Sequence, residues 1–216
     1  MRRPSVAFFA MLVFASTLPG YAGDRFGIGV KGGTLGLGVD LTGRITDRFA
    51  VRGSINAIDI TGSYSDTDVD YDADVKLGAY GVLLDFHPFK GNFRLTAGLM
   101  RNRNEIGLSA KPTADVGIGG TTYTPTQVGI LKGKVTFNDS APYFGIGFGD
   151  AAKGPGRVRF VLDVGVLMQG SGQVTLASNT TTNFGNDLRQ EESDIEDSIS
   201  DYKFWPVLDL GISFRL

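Results

Sequence analysis

Five aspartates stand at alternate positions in one segment of the chain: Asp66, Asp68, Asp70, Asp72 and Asp74. On an extended segment, side chains alternate between two sides, so these five project from one face. Carboxylate oxygens are the ligands that Ca²⁺ and Mg²⁺ prefer. The spacing is not that of an EF-hand, because Tyr71 replaces the required Gly and Leu77 the bidentate Glu. This aspartate ladder predicts either a loose site for Ca²⁺ or Mg²⁺, or a solvated edge that keeps a hairpin tip soluble.

Catalytic residue types are scarce in this sequence. His87 is the only histidine, Asp85 lies two residues before it, and there is no cysteine. A Ser–His–Asp site needs a histidine held by a carboxylate, which this pair could supply. His87 is followed by Pro88, however, which is typical of a turn. We therefore interpret His87 as a turn or interfacial histidine, and we expect no catalytic residue and no cofactor beyond a weakly bound divalent cation.

A second set of charged residues alternates with apolar residues along several segments. Asp40 lies between Val39 and Leu41, for example, and Asp163 between Leu162 and Val164. Charges on an enclosed face must pair, because an unpaired buried charge costs several kcal/mol or more. We expect these residues to form a salt-bridge network in a closed interior, or to line a narrow path that favours anions. They are Arg25, Asp40, Arg44, Arg52, Asp85, Arg94, Arg159, Asp163, Asp209 and Arg215.

Alternation of apolar and polar residues predicts eight strands that position these charges. The strands cover about residues 26–31, 35–45, 49–57, 73–87, 93–99, 135–148, 158–166 and 204–216. Two of them change phase along their length. In the fourth strand the change predicts a β-bulge near Gly78, and in the sixth it separates Val135 and Phe137 from residues 144–148.

The connections between these strands alternate in length. Links near 46–48, 88–92 and 149–156 are short, whereas those near 60–73, 102–133 and 169–201 are long. Leu188, Ile195, Ile199 and Tyr202 follow a helical spacing in the last long link, which predicts a short acidic helix after Asn186. An even number of strands with alternating short and long links is typical of an up-and-down membrane barrel.

The N-terminus and the overall charge limit the class of protein. Arg2 and Arg3 precede an apolar run, and Gly20-Tyr21-Ala22 carries the small residues of a cleavage site. We therefore expect a signal peptide over residues 1–22 and one barrel domain over residues 23–216. The formal net charge of −2 leaves no basic stripe, which argues against a nucleic-acid partner.

The last strand, Phe204 to Leu216, ends the sequence on an apolar face that carries Phe214. With the alternation above, it resembles the C-terminal strand of small eight-stranded Gram-negative outer-membrane barrels of the OmpA, OmpX and OmpW type. The resemblance implies an all-β, antiparallel up-and-down transmembrane barrel with short periplasmic turns and long extracellular loops. It also implies insertion by the barrel assembly machinery through this strand, contact with outer-membrane lipid and lipopolysaccharide, and a monomer. A soluble lipocalin-type barrel is the alternative, which the glycines on the polar face disfavour.

Three functions remain open at this stage. The first is a non-enzymatic envelope protein with acidic surface loops and a structural or interaction role. The second is a narrow pore for small solutes, as the resemblance to OmpW allows. The third is a lipid-modifying outer-membrane enzyme, which the scarcity of catalytic residues disfavours.

Overall fold

The computed structural model describes residues 25–65, 69–152 and 158–216. The predicted signal peptide over residues 1–22 lies outside these ranges. Two helices are described, α1 (Pro125–Val128) and α2 (Asp187–Ser198). The strands are β1 (Phe26–Gly33), β2 (Gly36–Arg44), β3 (Phe49–Ser65), β4 (Val69–Phe86), β5 (Phe93–Asn102), β6 (Glu105–Pro112), β7 (Val116–Ile118), β8 (Thr121–Tyr123), β9 (Leu131–Thr136), β10 (Ser140–Phe148), β11 (Val158–Met168), β12 (Gln173–Ser178) and β13 (Phe204–Arg215).

Eight of these strands close into an antiparallel barrel. The order around the ring is β1, β2, β3, β4, β5, β10, β11 and β13, and β13 pairs with β1 to close it. Ile28 of β1, for example, lies opposite Leu41 of β2 on one side and Phe214 of β13 on the other. The predicted eight-stranded antiparallel up-and-down barrel is therefore confirmed.

The two ends of the barrel differ. At one end lie Phe26 of β1, Arg215 of β13 and the links after Arg44 and Phe86; we call this the short-turn end. At the opposite end β3 and β4 continue past the ring as a long hairpin; we call this the extended-strand end.

The outside of the barrel carries a belt of exposed apolar side chains. Phe160 is 84% exposed, Leu37 67% and Leu210 63%, although all three are large and apolar. Phe49 and Phe86 stack near the short-turn end, with ring centroids 5.0 Å apart. A soluble monomer does not leave such a continuous apolar surface in water. The belt, together with a polar interior, gives this barrel the two faces of a transmembrane β-barrel.

The change of phase in the fourth predicted strand has a different cause from the expected one. Pairing between β3 and β4 runs without interruption from Phe49 and Phe86 to Ser65 and Asp70, so the predicted bulge near Gly78 is wrong. Within the barrel the apolar side chains of β4 face outward, as Val82 does. Beyond Gly78 they face the other way, because that part of β4 extends past the barrel and pairs with β6, where protein covers the inner side of the sheet.

This extension of the sheet, which we call the cap sheet, stands on the extended-strand end. It consists of β12, β9, β6 and the outer parts of β4 and β3, in this order. Residues 60–65 and 69–73 and parts of 102–133 and 169–201, expected to be loops, thus form paired strands. Val135 lies on β9, opposite Ile106 of β6, and is not part of the sixth barrel strand. This explains why it is out of phase with β10.

Short elements pack against the inner side of the cap sheet. Ile118, Val128 and Phe184 are buried together, with Tyr123 and Leu188 packed against them. The predicted helix is present as α2, and it packs against β12 and β7. Asn186 is its N-cap residue, but its side chain makes no capping hydrogen bond. No helix in the described part of the chain is both long enough and apolar enough to cross a membrane.

Candidate functional site

The centre of the barrel interior is organised around Arg52 of β3. Its Nε and Nη2 donate to the two carboxylate oxygens of Asp85, at 3.0 and 3.1 Å. Nη1 and Nη2 also donate to Asp163, at 3.0 and 3.2 Å, and Nη1 donates to Asp40 at 3.1 Å. A guanidinium group has five N–H donors, and these bonds use all of them. Arg52 therefore joins carboxylates from three other strands.

Further charged residues extend this network on both sides. Arg94 of β5 donates from Nη2 to both oxygens of Asp163, each at 2.8 Å. Lys31 of β1 bridges Asp40 and Asp209, with 3.2 Å from its ammonium nitrogen to each carboxylate. The side chains of this network are almost completely buried. Charges of opposite sign thus lie side by side in the lumen and offset one another's burial, while the Asp209 carboxylate is held by the Lys31 ion pair and neither of its oxygens has a hydrogen bond among the described residues.

Six residues of the predicted charge network thus meet in the lumen: Asp40, Arg52, Asp85, Arg94, Asp163 and Asp209. The other four lie nearer the short-turn end. Arg44 approaches Asp150, Arg159 donates to Asn92 at 3.2 Å, Arg215 is half-buried and Arg25 is exposed.

An apolar layer closes the lumen on the extended-strand side of this network. It is formed by buried inward side chains, with Trp205 packed against them: Leu35, Ala79, Leu83, Met100, Ala141, Tyr143, Leu167 and Val207. Tyr143 requires two neighbouring glycines, because a Cβ at Gly145 or Gly165 would come within 2.6 Å of its hydroxyl oxygen. Beyond this layer Asn104 donates to Gln169 at 3.2 Å, and both are buried.

The chain itself fills the lumen at the short-turn end. Asp150, Ala151 and Ala152 follow β10 and are buried inside the mouth. A Cβ at Gly27 would come within 2.5 Å of the Ala151 carbonyl oxygen, so glycine is needed there. Arg94 donates to the Gly149 carbonyl and thereby ties this segment to the charge network.

His87 lies next to this segment and begins a turn, as expected, because the Lys90 N–H donates to its carbonyl at 3.2 Å; its side chain is buried and not interfacial. Its Nδ1 lies 3.0 Å from the Gly91 carbonyl oxygen, and its Nε2 lies 3.9 Å from Asp150. The Asp85 carboxylate is instead engaged by Arg52 and by Thr96, which donates to it at 2.6 Å. Among the described residues, no hydrogen bond joins His87 to a serine, so the arrangement does not supply a nucleophile with a base.

Two small spaces lie inside the lumen, beside the charge network. One cavity of about 20 Å³ lies between Arg52, His87 and Asp150, and another of about 10 Å³ lies between Arg52, Leu83 and Tyr143. A single water molecule needs a cavity of this order. Arg52 lines both cavities and separates them.

The aspartate ladder lies on the outer side of the cap sheet where it is described. Asp72 and Asp74 are exposed on β4, and Asp70 pairs in register with Lys111 of β6. Asp66 and Asp68 lie outside the described residues. Within the described residues, no three His, Cys, Asp or Glu side chains form a group that could hold a metal ion. The cation site of the ladder stays a prediction.

The acidic side chains of α2 bind backbone N–H groups of the cap. Glu192 accepts from Leu176 at 2.6 Å and Glu196 accepts from Val174 at 2.8 Å, so the two carboxylates occupy the free edge of β12. Glu191 accepts from Gly119 at 3.0 Å in the same way. An unpaired edge strand is prone to pair with another chain, and these carboxylates block it.

Two hydrogen-bonded pairs in the cap shift pKa values. The hydrogen bond that Tyr123 donates to Asp187, 2.5 Å long, lowers the pKa of Asp187 and raises the pKa of Tyr123. On the outer side of the cap sheet, the Lys134 ammonium lies 2.7 Å from the Glu105 carboxylate and lowers the pKa of that group. Each carboxylate is thus favoured in its ionised form by its partner.

Solved structures with the same architecture include two proteins of Acinetobacter baumannii. CarO2 is 24% identical to this chain, with a TM-score of 0.60, and CarO is 21% identical, with a TM-score of 0.59. In both comparisons the match covers 89% of this chain and 98% of the other. The fold is that of an outer-membrane β-barrel. No protein-family model matches the sequence, and the search of curated proteins finds no match.

Sequence reasoning missed several residues of this barrel's interior. Asp150 lies in the predicted short link near 149–156. Because it is outside the alternating segments, the sequence gives no sign that it folds back into the lumen. Leu83 and Met100 face inward although they are apolar, and their outward neighbours Leu84 and Leu99 hide this in the sequence. At Leu83–Leu84 and Leu99–Met100 two apolar residues follow each other, and this break in the alternation is the signal in the sequence for an apolar layer inside the barrel.

Proposed function

We propose that this protein resides in the outer membrane of a Gram-negative cell as a closed, non-enzymatic barrel. The apolar belt and the fold shared with CarO support the location. The short-turn end then faces the periplasm and the cap sheet faces outward, because outer-membrane barrels have short periplasmic turns and longer external segments. The C-terminal strand β13 is the element that the barrel assembly machinery would engage.

The filled lumen is the observation that carries the proposal. Arg52, Arg94 and Lys31 hold four buried aspartates, and the two cavities beside them have room for one water molecule each. An eight-stranded barrel is just wide enough to be filled by its own side chains. The barrel therefore acts as an anchor, and the function lies in what it displays outside the membrane.

The displayed part is the cap sheet, which gives the protein an envelope structural or interaction role. Its inner side is packed against α2 and the β7–β8 hairpin, so its outer side is held as one surface. Asp72 and Asp74 make part of this surface acidic. By contrast, Glu191, Glu192 and Glu196 of α2 are engaged inside the cap. The acidic surface is therefore smaller than the acidic surface loops expected from the sequence.

Sided labelling tests both the location and the orientation. The protein has no cysteine, so a single one can be placed by Asp72→Cys in the cap sheet or Phe89→Cys at the short-turn end. A membrane-impermeant maleimide added to intact cells is expected to label the first variant. It should label the second only after the outer membrane has been permeabilised. Recovery of the protein in the soluble periplasmic fraction, or the reverse labelling pattern, contradicts the proposal.

A narrow conduit is the second candidate function. The two small cavities lie on either side of Arg52, and polar atoms without a hydrogen-bond partner line them, such as Asn56 Oδ1 and Ser213 Oγ. Water could occupy both cavities, and movement of the Arg52 side chain would join them. This candidate predicts measurable solute flux through the wild-type barrel and an increase in Arg52→Ala.

A further inference from the structure

The outward side chains of β4 and β5 change in character from the belt towards the cap. On β4 the outward positions run from Leu84 and Val82 to Tyr80, then to Gly78 and Lys76. On β5 they run from Leu95 and Leu99 to Arg101, and Arg103 follows just after the strand. Apolar residues thus give way to an aromatic ring and then to cations on the same wall.

These cations are exposed and close together. Tyr80 lies opposite Arg101 in register, and the Arg103 N–H donates to the Gly78 carbonyl at 2.7 Å. Gly78 leaves a notch beside Arg103, because a Cβ there would lie 3.4 Å from the Arg103 Cβ. Arg101 pairs with Asp139 and Lys76 with Glu105, but the side chains of Arg101 and Lys76 remain about half exposed, at 50% and 56%.

The wall formed by β11 and β13 lacks this arrangement. The outward positions of β11, from Val158 to Met168, are apolar throughout the strand. Those of β13 are apolar from Phe214 to Phe204, where the strand begins at the extended-strand end. Among the described barrel strands, only the wall formed by β4 and β5 passes from a broad apolar surface to a pair of exposed arginines.

We propose that this wall binds the phosphorylated headgroup of lipopolysaccharide, with Arg101 and Arg103 contacting phosphate and the belt below contacting the acyl chains. The inference rests on the proposed function, since it requires the cap sheet to stand at the outer leaflet. Guanidinium groups suit phosphate because they donate two parallel hydrogen bonds. Cations placed just outside the hydrocarbon region attract anionic lipid, and an aromatic ring between them and the belt lies at headgroup level.

Lipid binding to the refolded barrel in detergent tests the inference. The probes are bis-phosphorylated lipid A, the same lipid with both phosphates removed, and phosphatidylglycerol, and bound lipid is counted by native mass spectrometry. The test variant is Arg101→Gln/Arg103→Gln. The control is Arg25→Gln/Arg48→Gln, which removes the same charge from two exposed arginines at the short-turn end.

We expect the test variant to bind bis-phosphorylated lipid A about 30-fold more weakly than the wild type, whereas the control changes less than about twofold. The dephosphorylated lipid should not distinguish the variants. Equal binding by wild type and test variant, or binding of phosphatidylglycerol as strong as that of lipid A, overturns the inference. The reverse pattern in sided labelling refutes the proposed function instead. That result needs no lipid measurement, so the two failures can be told apart.

Discussion

Arg52 on β3 and Asp163 on β11 are joined by two parallel hydrogen bonds across the lumen, 3.0 and 3.2 Å long. Four strand positions separate β3 from β11 in either direction around the ring of eight, so they face each other across the barrel. The two residues are 111 positions apart in the sequence. This pair therefore ties opposite walls together, and its geometry depends on the whole ring being closed.

Removal of Arg52 should strongly destabilise the barrel. Arg52→Met leaves Asp40, Asp85 and Asp163 buried with fewer partners, and breaking a buried ion pair costs about 3–5 kcal/mol. Arg101→Met removes an exposed partner of Asp139 and should cost about 0–1 kcal/mol. Urea unfolding of both variants in lipid vesicles measures the difference. Equal free energies of unfolding would show that the central network does not hold the walls together.

A charge introduced into the apolar belt should lower the free energy of unfolding strongly at the middle of the barrel and only slightly at the short-turn end. Leu210 lies in the middle of β13, so Leu210→Arg should reduce the free energy of unfolding in lipid by about 2–4 kcal/mol. Phe89 is exposed in the link after β4, where Phe89→Arg should cost about 0–1 kcal/mol. The difference in free energy of unfolding between the two variants should vanish when the belt is not surrounded by hydrocarbon. Similar costs for the two variants in vesicles would mean that the outward face is assigned incorrectly.

The strands of the barrel can be predicted from the sequence, because the alternation of apolar and polar residues in one strand does not depend on the neighbouring strands. Val82, Leu84 and Phe86 show the outward face of β4, and Arg52 and Asp163 fall on the inward faces of their strands. The sequence does not predict which aspartates bind Arg52, because these contacts depend on the stagger of all eight strands. The cap sheet was missed because alternation in β6 and β12 is short, and because the reversal of phase beyond Gly78 has two explanations that sequence alone does not separate.

The carboxylates of α2 should hold the edge of β12. Glu192→Ala/Glu196→Ala removes the acceptors of the Leu176 and Val174 N–H groups, which should speed amide hydrogen exchange at these two positions by about tenfold or more. Asp197→Ala/Asp201→Ala changes two exposed acids of the same segment and should leave exchange unchanged. If both double variants exchange alike, the helix protects β12 by packing alone.

The Glu105 pairs predict a pH dependence of the outer side of the cap. Lys134 holds the pKa of Glu105 below its ordinary value of 4.5, so the ionised form is favoured in the folded state. The stabilisation is therefore complete above pH 4.5 and is lost as the pH falls through the lowered pKa. Amide exchange where β6 pairs with β9 should increase over this window relative to Glu105→Gln at the same pH. A wild type that follows the Gln variant at every pH would contradict this.

The aspartate ladder should make the hairpin between β3 and β4 sensitive to divalent cations. We expect millimolar Ca²⁺ to slow protease nicking of residues 60–74 and to raise the unfolding temperature of the detergent-solubilised barrel, with a Kd of about 10⁻⁴–10⁻³ M. Replacing Asp68, Asp70 and Asp72 by Asn should abolish both effects. An unchanged response in that variant would identify the ladder as a solvated edge.

Single-channel conductance in planar bilayers tests the closed barrel most directly. The lumen is filled by the network around Arg52 and by the apolar layer around Leu83 and Tyr143, so the wild-type protein should insert without producing current steps above the bilayer leak. Insertion can be verified in the same membranes by the resistance of the unheated barrel to unfolding on gels. Reproducible wild-type steps would contradict the account and would establish the barrel as a conduit.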